Sequence, residues 1–321
     1  MTNKKSLKII TIGDINADLS FMLHHLPAAG DDVVASGLHW SGGGAGLNSA
    51  LAFSRLGGAV WLIGRVGNDP AAEVALQAVR QAGVELRLVQ HDSSLPTGLC
   101  GVLVTANGER SLLSYRGANV ACDPLDLSSD LMRDTDLLSI SGHALLEGPQ
   151  QATTLHAIEL AEEHNVPVAL DLCLLTIRAA GPLLLDLLPQ LWLLTLNEEE
   201  LRALLPGLSF QWALEQLLER GAHHVAIKRG AQGCTILEGE QRLAFLPPVV
   251  QVVDTTACGD AFSAGYAWAL LRGAPLPARA TLANLMGALT ASKPGAAAAI
   301  PSRIQLFRRL DARLHYLLNS R

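Results

Sequence analysis

The chain has 321 residues, of which 49% are hydrophobic and 17% are charged, with a formal net charge of -6. This composition predicts a large buried core and excludes a disordered chain. Because the balance is acidic and no run of basic residues occurs, we expect no nucleic-acid partner.

Neither a membrane span nor a disulfide framework is predicted. The leucine-rich stretch 183–196 contains Asp186 and Pro189, which an apolar bilayer span would not carry. The five cysteines are scattered without a Cys-x-x-Cys pair, and the ten histidines form no metal-binding spacing. We expect reduced thiols, no membrane contact and a cytoplasmic location.

The first apolar strand, 7–12, is followed by the polar segment 13–18. Polar side chains at the carboxyl end of a strand lie where open α/β sheets bind ligands. Asn16 and Asp18 share one face if the chain stays extended. Taken alone, such residues are more often turn formers, so their interpretation depends on the motifs that follow.

Four short strands are predicted outside any alternation with helices, at 19–23, 32–40, 98–105 and 110–115. A turn at 106–109 would join the last two. We expect them to form a small antiparallel β lid whose strands are inserted in the main domain at about 16–40 and 98–117.

The glycine-rich segment 41–48 leads into a helix that ends at Gly57. It lacks the third glycine of a dinucleotide fingerprint, and it contains no Gly-Lys-Ser/Thr. The segment is either a plain turn or a place where a substrate touches the main chain. In the second case Asn48, on the first helical turn, would bind a hydroxyl.

From residue 59 onward strands and helices alternate. Strands are predicted at 59–63, 85–90, 137–140, 167–170 and 191–195, and helices at 70–82 and 151–164. This alternation predicts an α/β fold with a mostly parallel sheet and helices on both faces.

Three later segments offer ligand-binding side chains. Asn197 and Glu200 lie one helical turn apart and could hold Mg²⁺ through water, or the acids there only complement the helix dipole. The segment 225–234 is a plain hairpin, or a nucleotide-phosphate loop with Lys228 or Arg229 nearby. Asn284, on a helix predicted over 279–292, could line an adenine pocket.

The stretch 249–266 combines a valine-rich strand end, a loop of small residues and a helix start. A helix N-terminus presents unpaired N–H groups, and Ala257, Cys258 and Gly259 would let an anion approach them closely. Asp260 is then either a helix cap or a general base beside an anion hole.

Together these stretches resemble the ribokinase-like, or PfkB, family of carbohydrate kinases, from Gly13 to about Pro301. Segments 43–48 and 254–262 match the two family signatures, and Asn197-x-x-Glu200 and Lys228-x-Gly230-x-x-Gly233 lie between them in the expected order. The resemblance implies a single ribokinase-like α/β kinase domain over 1–321, in three layers with the β lid. It also implies ATP and Mg²⁺, K⁺ as a further ion, a small-molecule sugar substrate, and a homodimer formed through the lid.

By resemblance, each motif acquires a role. Asp260 is the base, and Ala257, Cys258 and Gly259 form the anion hole. Asn197 and Glu200 organise Mg²⁺, and Asp254 with the loop 293–297 matches a monovalent-cation site. The nucleotide-binding residues are Asn197, Lys228, Gly230, Gly233 and Asn284. The sugar-binding residues are Asn16, Asp18, Gly43, Gly44 and Asn48.

Some positions depart from the family pattern. Ala45 stands where the family often has Lys, and Asp171-Leu172-Cys173 replaces a strand-end motif that commonly carries Asn. Gly142 or His143 stands where ribokinases have a substrate-contacting Glu. These departures leave the catalytic residues intact but weaken the expectation of ribose as the substrate.

Two alternatives to a sugar kinase stay open at this point. A nucleoside kinase of the same family would need a surface that stacks the base, and Phe21, Trp40 and Tyr115 lie in lid segments. Aromatic residues in strands more often pack the sheet. A catalytically silent sugar or nucleotide sensor would have no need of the base Asp260.

Overall fold

The computed structural model describes residues 6–105, 110–123 and 127–319, so the turn predicted at 106–109 lies outside the described residues. Its strands are β1 (Lys8–Ile12), β2 (Asn16–Leu23), β3 (Gly37–Gly43), β4 (Ala59–Gly67), β5 (Val89–Asp92), β6 (Gly98–Thr105), β7 (Arg110–Tyr115), β8 (Leu137–Ser141), β9 (Val168–Asp171), β10 (Leu193–Asn197), β11 (His224–Lys228), β12 (Cys234–Glu238) and β13 (Gln241–Phe245). Its α-helices are α1 (Ala45–Leu56), α2 (Pro70–Gln81), α3 (Ser129–Arg133), α4 (Gly148–Glu163), α5 (Leu174–Leu187), α6 (Glu198–Leu204), α7 (Phe210–Glu219), α8 (Cys258–Leu271), α9 (Leu276–Ala291) and α10 (Arg303–Arg309).

A large sheet forms the centre of the molecule. Within the described residues it has nine strands, in the order β13-β12-β11-β10-β9-β8-β1-β4-β5. In this spatial order, every neighbouring pair between β11 and β5 is parallel, while β12 and β13 complete the β11 edge as antiparallel strands. The predicted α/β fold with a mostly parallel sheet is confirmed.

Helices cover both faces of this sheet, because successive side chains of its strands point to opposite sides. Ile9 and Leu137 belong to a core shared with α1, α2, α8 and α9, whereas Ile10 and Leu138 belong to a second core shared with α4, α5, α6 and α7. The result is three layers. None of the helices in the described part of the chain is long and apolar enough to cross a membrane.

The smaller sheet has the order β3-β2-β6-β7 and is the predicted lid. Its outer pairs are antiparallel, but its central pair, β2 and β6, is parallel. This follows from the connections, because β2 follows β1 and β6 follows β5. Both β1 and β5 end at the same edge of the large sheet, so the two lid strands leave it in the same direction.

One strand prediction is wrong and two are too long. No strand forms over 249–253, because Pro247 and Pro248 cannot donate ladder hydrogen bonds, and Val249 is fully exposed. The lid strand predicted from residue 32 begins only at Gly37. The strand predicted from residue 85 begins at Val89, after a turn in which the Val89 N–H donates to the Leu86 carbonyl at 3.0 Å.

Candidate active site

A cavity of about 700 Å³ lies at the carboxyl edge of the large sheet. The ends of four neighbouring strands line it, through Ser141 of β8, Asp171 of β9, Asn197 of β10 and Lys228 of β11. The segment 247–252 and the helices α8 and α9 line the other side. Ligands of open α/β sheets bind at this edge, so the sheet topology alone places a site here.

The start of α8 brings the predicted catalytic segment to the cavity. Ala257 precedes the helix with a φ of 60°, a left-handed conformation that residues other than glycine seldom adopt. This bend starts α8 at Cys258, so that residues 257–260 all line the cavity. The first N–H groups of a helix have no acceptor within the helix, and here they lie beside the cavity.

Asp260 is held from across the site by Asn48. The Asn48 Nδ2 group, on α1, donates to Asp260 Oδ2 at 2.8 Å, and Asn48 Oδ1 is buried without a hydrogen-bond partner among the described residues. Burial and the charge of Asp171 raise the pKa of Asp260 to about 6, although Asn48 and Lys228 favour the charged form. A carboxylate with a pKa near 6 is suited to accept a proton near neutral pH.

Asp18 lies next to this pair, on β2. Burial, together with the charges of Asp260 and Asp254, raises the pKa of Asp18 to about 7. Its Oδ1 atom and the Ser41 Oγ atom are buried without hydrogen-bond partners among the described residues. Burying such atoms without a partner is costly, so they are natural partners for the hydroxyl groups of a ligand.

The glycine-rich segment makes room for Asp18. A Cβ on Gly43 would lie 2.1 Å from Asp18 Oδ2, so only glycine lets the carboxylate take this place. Gly44 precedes α1 and connects the lid strand β3 to the helix that carries Asn48. Asn16, also on β2, accepts a hydrogen bond from Asn119 Nδ2 at 2.9 Å through its Oδ1 atom.

Asp14, Arg116 and Gln150 form a buried polar cluster behind the lid. The Arg116 Nη2 group donates to Asp14 Oδ1 at 3.0 Å, and the Arg116 Nε group donates to Asp14 Oδ2 at 3.2 Å. Gln150 Nε2 donates to Asp14 Oδ1 at 3.0 Å, and Arg116 Nη2 also donates to the His143 carbonyl at 3.0 Å. Arg116 therefore supports the lid junction. No sequence spacing signalled Gln150.

Lys228, at the end of β11, reaches the start of α8 and pairs with Asp171. Its Nζ group is hydrogen-bonded to Asp171 Oδ1, and a Cβ built on Gly259 would lie 3.4 Å from Nζ. Burial lowers the pKa of Lys228, but the carboxylates of Asp171 and Glu200 raise it by more, so the amine stays charged. Of the two basic candidates only Lys228 lines the cavity, since Arg229 bonds to Glu198 and stacks on Phe210.

Asn197 and Glu200 cap α6 reciprocally. The Asn197 N–H donates to Glu200 Oε2 at 2.7 Å, and the Glu200 N–H donates to Asn197 Oδ1 at 2.8 Å. Both residues line the cavity, and burial raises the pKa of Glu200. Across the described ranges, no three His, Cys, Asp or Glu side chains converge to hold a metal ion directly. A hydrated ion beside Glu200 fits this donor set better.

The predicted nucleotide end of the cavity is shaped by backbone packing. Gly233 has a φ of 78°, and a Cβ there would lie 1.9 Å from the Phe245 carbonyl oxygen. Asn284 Nδ2 donates to the carbonyls of Phe245 at 3.2 Å and Leu246 at 3.4 Å. Asn284 and Gly230 line the cavity, and the Asn284 amide fixes the start of the segment 247–252.

Asp254 joins two loops beside α8. Its Oδ1 atom accepts hydrogen bonds from the Thr256 N–H at 2.8 Å and the Thr256 hydroxyl at 2.6 Å. Its Oδ2 atom accepts from the Gly295 N–H at 3.0 Å, within the loop 293–297. The structure therefore brings together the two segments that the family resemblance assigns to a monovalent cation.

His143 and Cys173, which both stand at positions that depart from the family pattern, lie close together in the structure. Both line the cavity and interact electrostatically, and the Cys173 Sγ atom lies 3.1 Å from the Thr176 Oγ1 atom. Burial lowers the pKa of His143, but Cys173 raises it by more, to about 9. Burial raises the pKa of Cys173, but His143 lowers it by more, so the thiol ionises more readily than usual.

The aromatic lid residues stay outside the cavity. Phe21, Trp40 and Tyr115 do not line it, and Trp40 and Tyr115 are exposed by 46% and 52%. Among the described residues that line the cavity, Phe262 is the one Phe, Tyr or Trp side chain.

Comparisons with known proteins cover nearly the whole chain. The family model described as pfkB family carbohydrate kinase matches residues 6–303. A ribokinase of Bacillus subtilis is 28% identical over 92% of this chain and 96% of its own length. An aminoimidazole riboside kinase of Salmonella typhimurium is 29% identical over 82% and 86%. A ribokinase of Arabidopsis thaliana, solved with ribose and ATP, has a TM-score of 0.81 at 25% identity and covers 98% of this chain and 99% of that chain.

Proposed function

The chain belongs to the pfkB family of carbohydrate kinases, and on that premise we propose that it transfers the γ-phosphoryl group of ATP to a hydroxyl of a free sugar, with Asp260 as general base. One observation carries the proposal. A half-buried carboxylate whose pKa is raised to about 6 lies in the first turn of α8 and is held by Asn48 beside the proposed anion hole. Phosphotransferases of this kind depend on alignment and charge stabilisation more than on a strong nucleophile.

The proposed acceptor site lies on the lid side of Asp260. Asn16, Asp18, Gly43, Gly44 and Asn48 bind the sugar, and the buried oxygens of Asp18 and Asn48 that have no protein partner pair with its hydroxyls. Asp260 accepts the proton of the attacking hydroxyl while the new O–P bond forms and the bond from the γ-phosphorus to the β–γ bridging oxygen breaks. Such general-base assistance accelerates a reaction by about 10²- to 10⁴-fold.

The proposed donor site lies on the other side of Asp260. Asn197, Lys228, Gly230, Gly233 and Asn284 border the nucleotide, and the N–H groups at Ala257, Cys258 and Gly259 stabilise charge on the phosphoryl oxygens. The similarity to a ribokinase solved with ribose and ATP supports this division.

Two ions belong to the proposal. Asn197 and Glu200 would hold Mg²⁺ through water, and the ion would supply positive charge against the phosphates. Asp254 and the loop 293–297, joined by the hydrogen bond from the Gly295 N–H to Asp254 Oδ2, would hold K⁺ or a similar ion. Initial rates in equal concentrations of KCl, NaCl and tetramethylammonium chloride test the monovalent ion, since a true site gives faster turnover with one metal cation.

A nucleoside kinase is the second candidate, because the aminoimidazole riboside kinase of Salmonella typhimurium is among the relatives. We rank it second, because this relative matches 82% of the chain, whereas the ribokinase of Bacillus subtilis matches 92%. Since the chain is a carbohydrate kinase by family, we do not propose a catalytically silent sensor.

The test is Mg²⁺-dependent ADP release across free sugars, sugar acids, sugar phosphates and nucleosides. We expect one free sugar to be the strongest acceptor, and we expect Asp260→Asn to abolish its turnover while ATP still binds. A nucleoside that outcompetes every free sugar would transfer the proposal to the second candidate. An Asp260→Asn variant as active as the unmodified protein would refute the base.

The lid also carries a proposed homodimer interface. Five large apolar side chains are exposed by 46–64% on β3 and β7, namely Leu38, Trp40, Leu112, Leu113 and Tyr115. Sedimentation velocity should show a dimer, and the Leu113→Glu variant should sediment as a monomer.

We further propose that residues 1–321 form one kinase domain, which should unfold in one cooperative transition. A cytoplasmic location completes the proposal, since none of the five cysteines, all among the described residues, forms a disulfide.

A further inference from the structure

Among the described residues that line the cavity, Lys228 is the one Lys or Arg. Lys228 reaches the cavity from the end of β11 with 15% of its side chain exposed. Its Nζ group lies beside Gly259, in the first turn of α8, and it interacts electrostatically with Asp260. The cation is therefore next to both the proposed base and the proposed anion hole.

We propose that Lys228 is a catalytic residue that contacts the γ-phosphoryl group during transfer, and that Asp171 is the positioning residue that holds it ready. This inference rests on the proposed function and assigns to Lys228 a part of the reaction itself. In the structure, Nζ is paired with Asp171 Oδ1. When the phosphate chain enters, one N–H of the amine turns to a non-bridging γ-oxygen while another keeps Asp171.

A lysine suits this task because its ammonium group is a compact charge with three donors. Phosphoryl transfer spreads negative charge over the non-bridging oxygens, and a fixed cation stabilises that charge without moving a proton. Lys228 keeps its proton throughout, because Asp171 and Glu200 raise its pKa. The same charge lowers the pKa of Asp260 and so keeps the base ionised.

Asp171 is fixed on two sides. Its Oδ1 atom also accepts a hydrogen bond from the Thr195 hydroxyl at 2.8 Å, and its backbone is part of β9. The Asp171 carboxylate therefore fixes the position of the Lys228 amine, as a supporting hydrogen bond does for a residue in a binding site.

Equilibrium binding tests the contact without requiring turnover. The probes are ADP and a non-hydrolysable ATP analogue, titrated by calorimetry with and without Mg²⁺. A lost hydrogen bond to a charged group predicts analogue binding weaker by about 10- to 150-fold in Lys228→Met, with ADP binding unchanged. Arg229→Met is the matched control, because the neighbouring Arg229 pairs with Glu198 outside the cavity and should leave both ligands unaffected.

Kinetics with the best acceptor supply the second readout. Lys228→Met should lower kcat by about 10²- to 10³-fold, as the loss of one oxyanion donor does, with little change in the acceptor KM. Lys228→Arg should retain part of the rate. Asp171→Asn should lower kcat less than Lys228→Met and move the acid limb of the pH profile downward, since Asp171 raises the pKa of Asp260.

Removing a buried cation alone leaves Asp171 unpaired, so the double variant Lys228→Met/Asp171→Asn serves if the single variant does not fold. Equal weakening of ADP and the ATP analogue would overturn the γ-phosphoryl contact, and so would an unchanged kcat. If the unmodified protein phosphorylates no sugar but Lys228→Met still selectively weakens the analogue, the proposed acceptor fails while the lysine contact stands.

Discussion

The hydrogen bond from Asn48 to Asp260 should set the pH at which the enzyme loses activity. As the proposed base, Asp260 must be deprotonated to act, so kcat/KM should fall as the pH falls through about 6, its pKa. Asn48→Ala removes the 2.8 Å hydrogen bond that favours the charged form. A hydrogen bond to a charged group is worth about 1.5–3 kcal/mol, which corresponds to a rise of about one to two pH units in that pKa.

The assay is kcat/KM for the best acceptor from pH 4.5 to 9, since this ratio reports ionisations of the free enzyme. We expect the acid limb of Asn48→Ala to lie at a pH higher by about one to two units. Asn16→Ala is the control, because Asn16 is paired with Asn119 and should lower acceptor binding without moving the limb. A limb that stays near pH 6 in Asn48→Ala would refute the reasoning and point to another group, for which Asp18→Asn is the next variant.

Three further predictions rest on single contacts. The pKa of Asp260 is raised from 3.8 to about 6, so its ionised carboxylate destabilises the folded state above pH 6 by about 3 kcal/mol. Asp260→Asn should therefore raise the free energy of unfolding, measured in urea, at pH 8 but leave it unchanged at pH 4. Because His143 lowers the pKa of Cys173, iodoacetamide at pH 7.5 should alkylate Cys173 before the other cysteines, as followed by mass spectrometry. The alkylation of Cys173 should be slower in His143→Asn and in the presence of acceptor. Gly43→Ala places a Cβ 2.1 Å from Asp18 Oδ2, so the acceptor KM should rise about 10-fold or more while the ADP dissociation constant stays unchanged.

Strong periodic patterns in the sequence predicted the main sheet and most of its helices. Prediction failed where nearby prolines overrode a strand pattern and where pairing depended on distant segments. The valines at 249–253 have high strand propensity, but two prolines precede them and no neighbouring strand accepts them, so the segment borders the cavity instead. The parallel pairing of β2 with β6 depends on how distant segments leave the large sheet, which no local pattern contains.

The site shows the same division. Asp260, Asn48 and Lys228 lie in motifs with recognisable spacing, and the structure brings them to one place. Asp171 stood out only as a departure from a family strand-end motif, and Gln150 had no signal. Each is held by a distant partner, Asp171 by Lys228, 57 positions away, and Gln150 by Asp14, 136 positions away. Pairings of that kind are set by tertiary packing.

The Asn48–Asp260 hydrogen bond joins residues 212 positions apart in the sequence. The residues proposed to bind the acceptor all precede Ser49, whereas those proposed to bind the donor follow Leu196. In the proposed function each ligand thus has its own stretch of chain, and the two stretches touch at the Asn48–Asp260 hydrogen bond. On this proposal, substitutions in the first fifty residues should alter acceptor preference while leaving the residues proposed to bind the nucleotide unchanged.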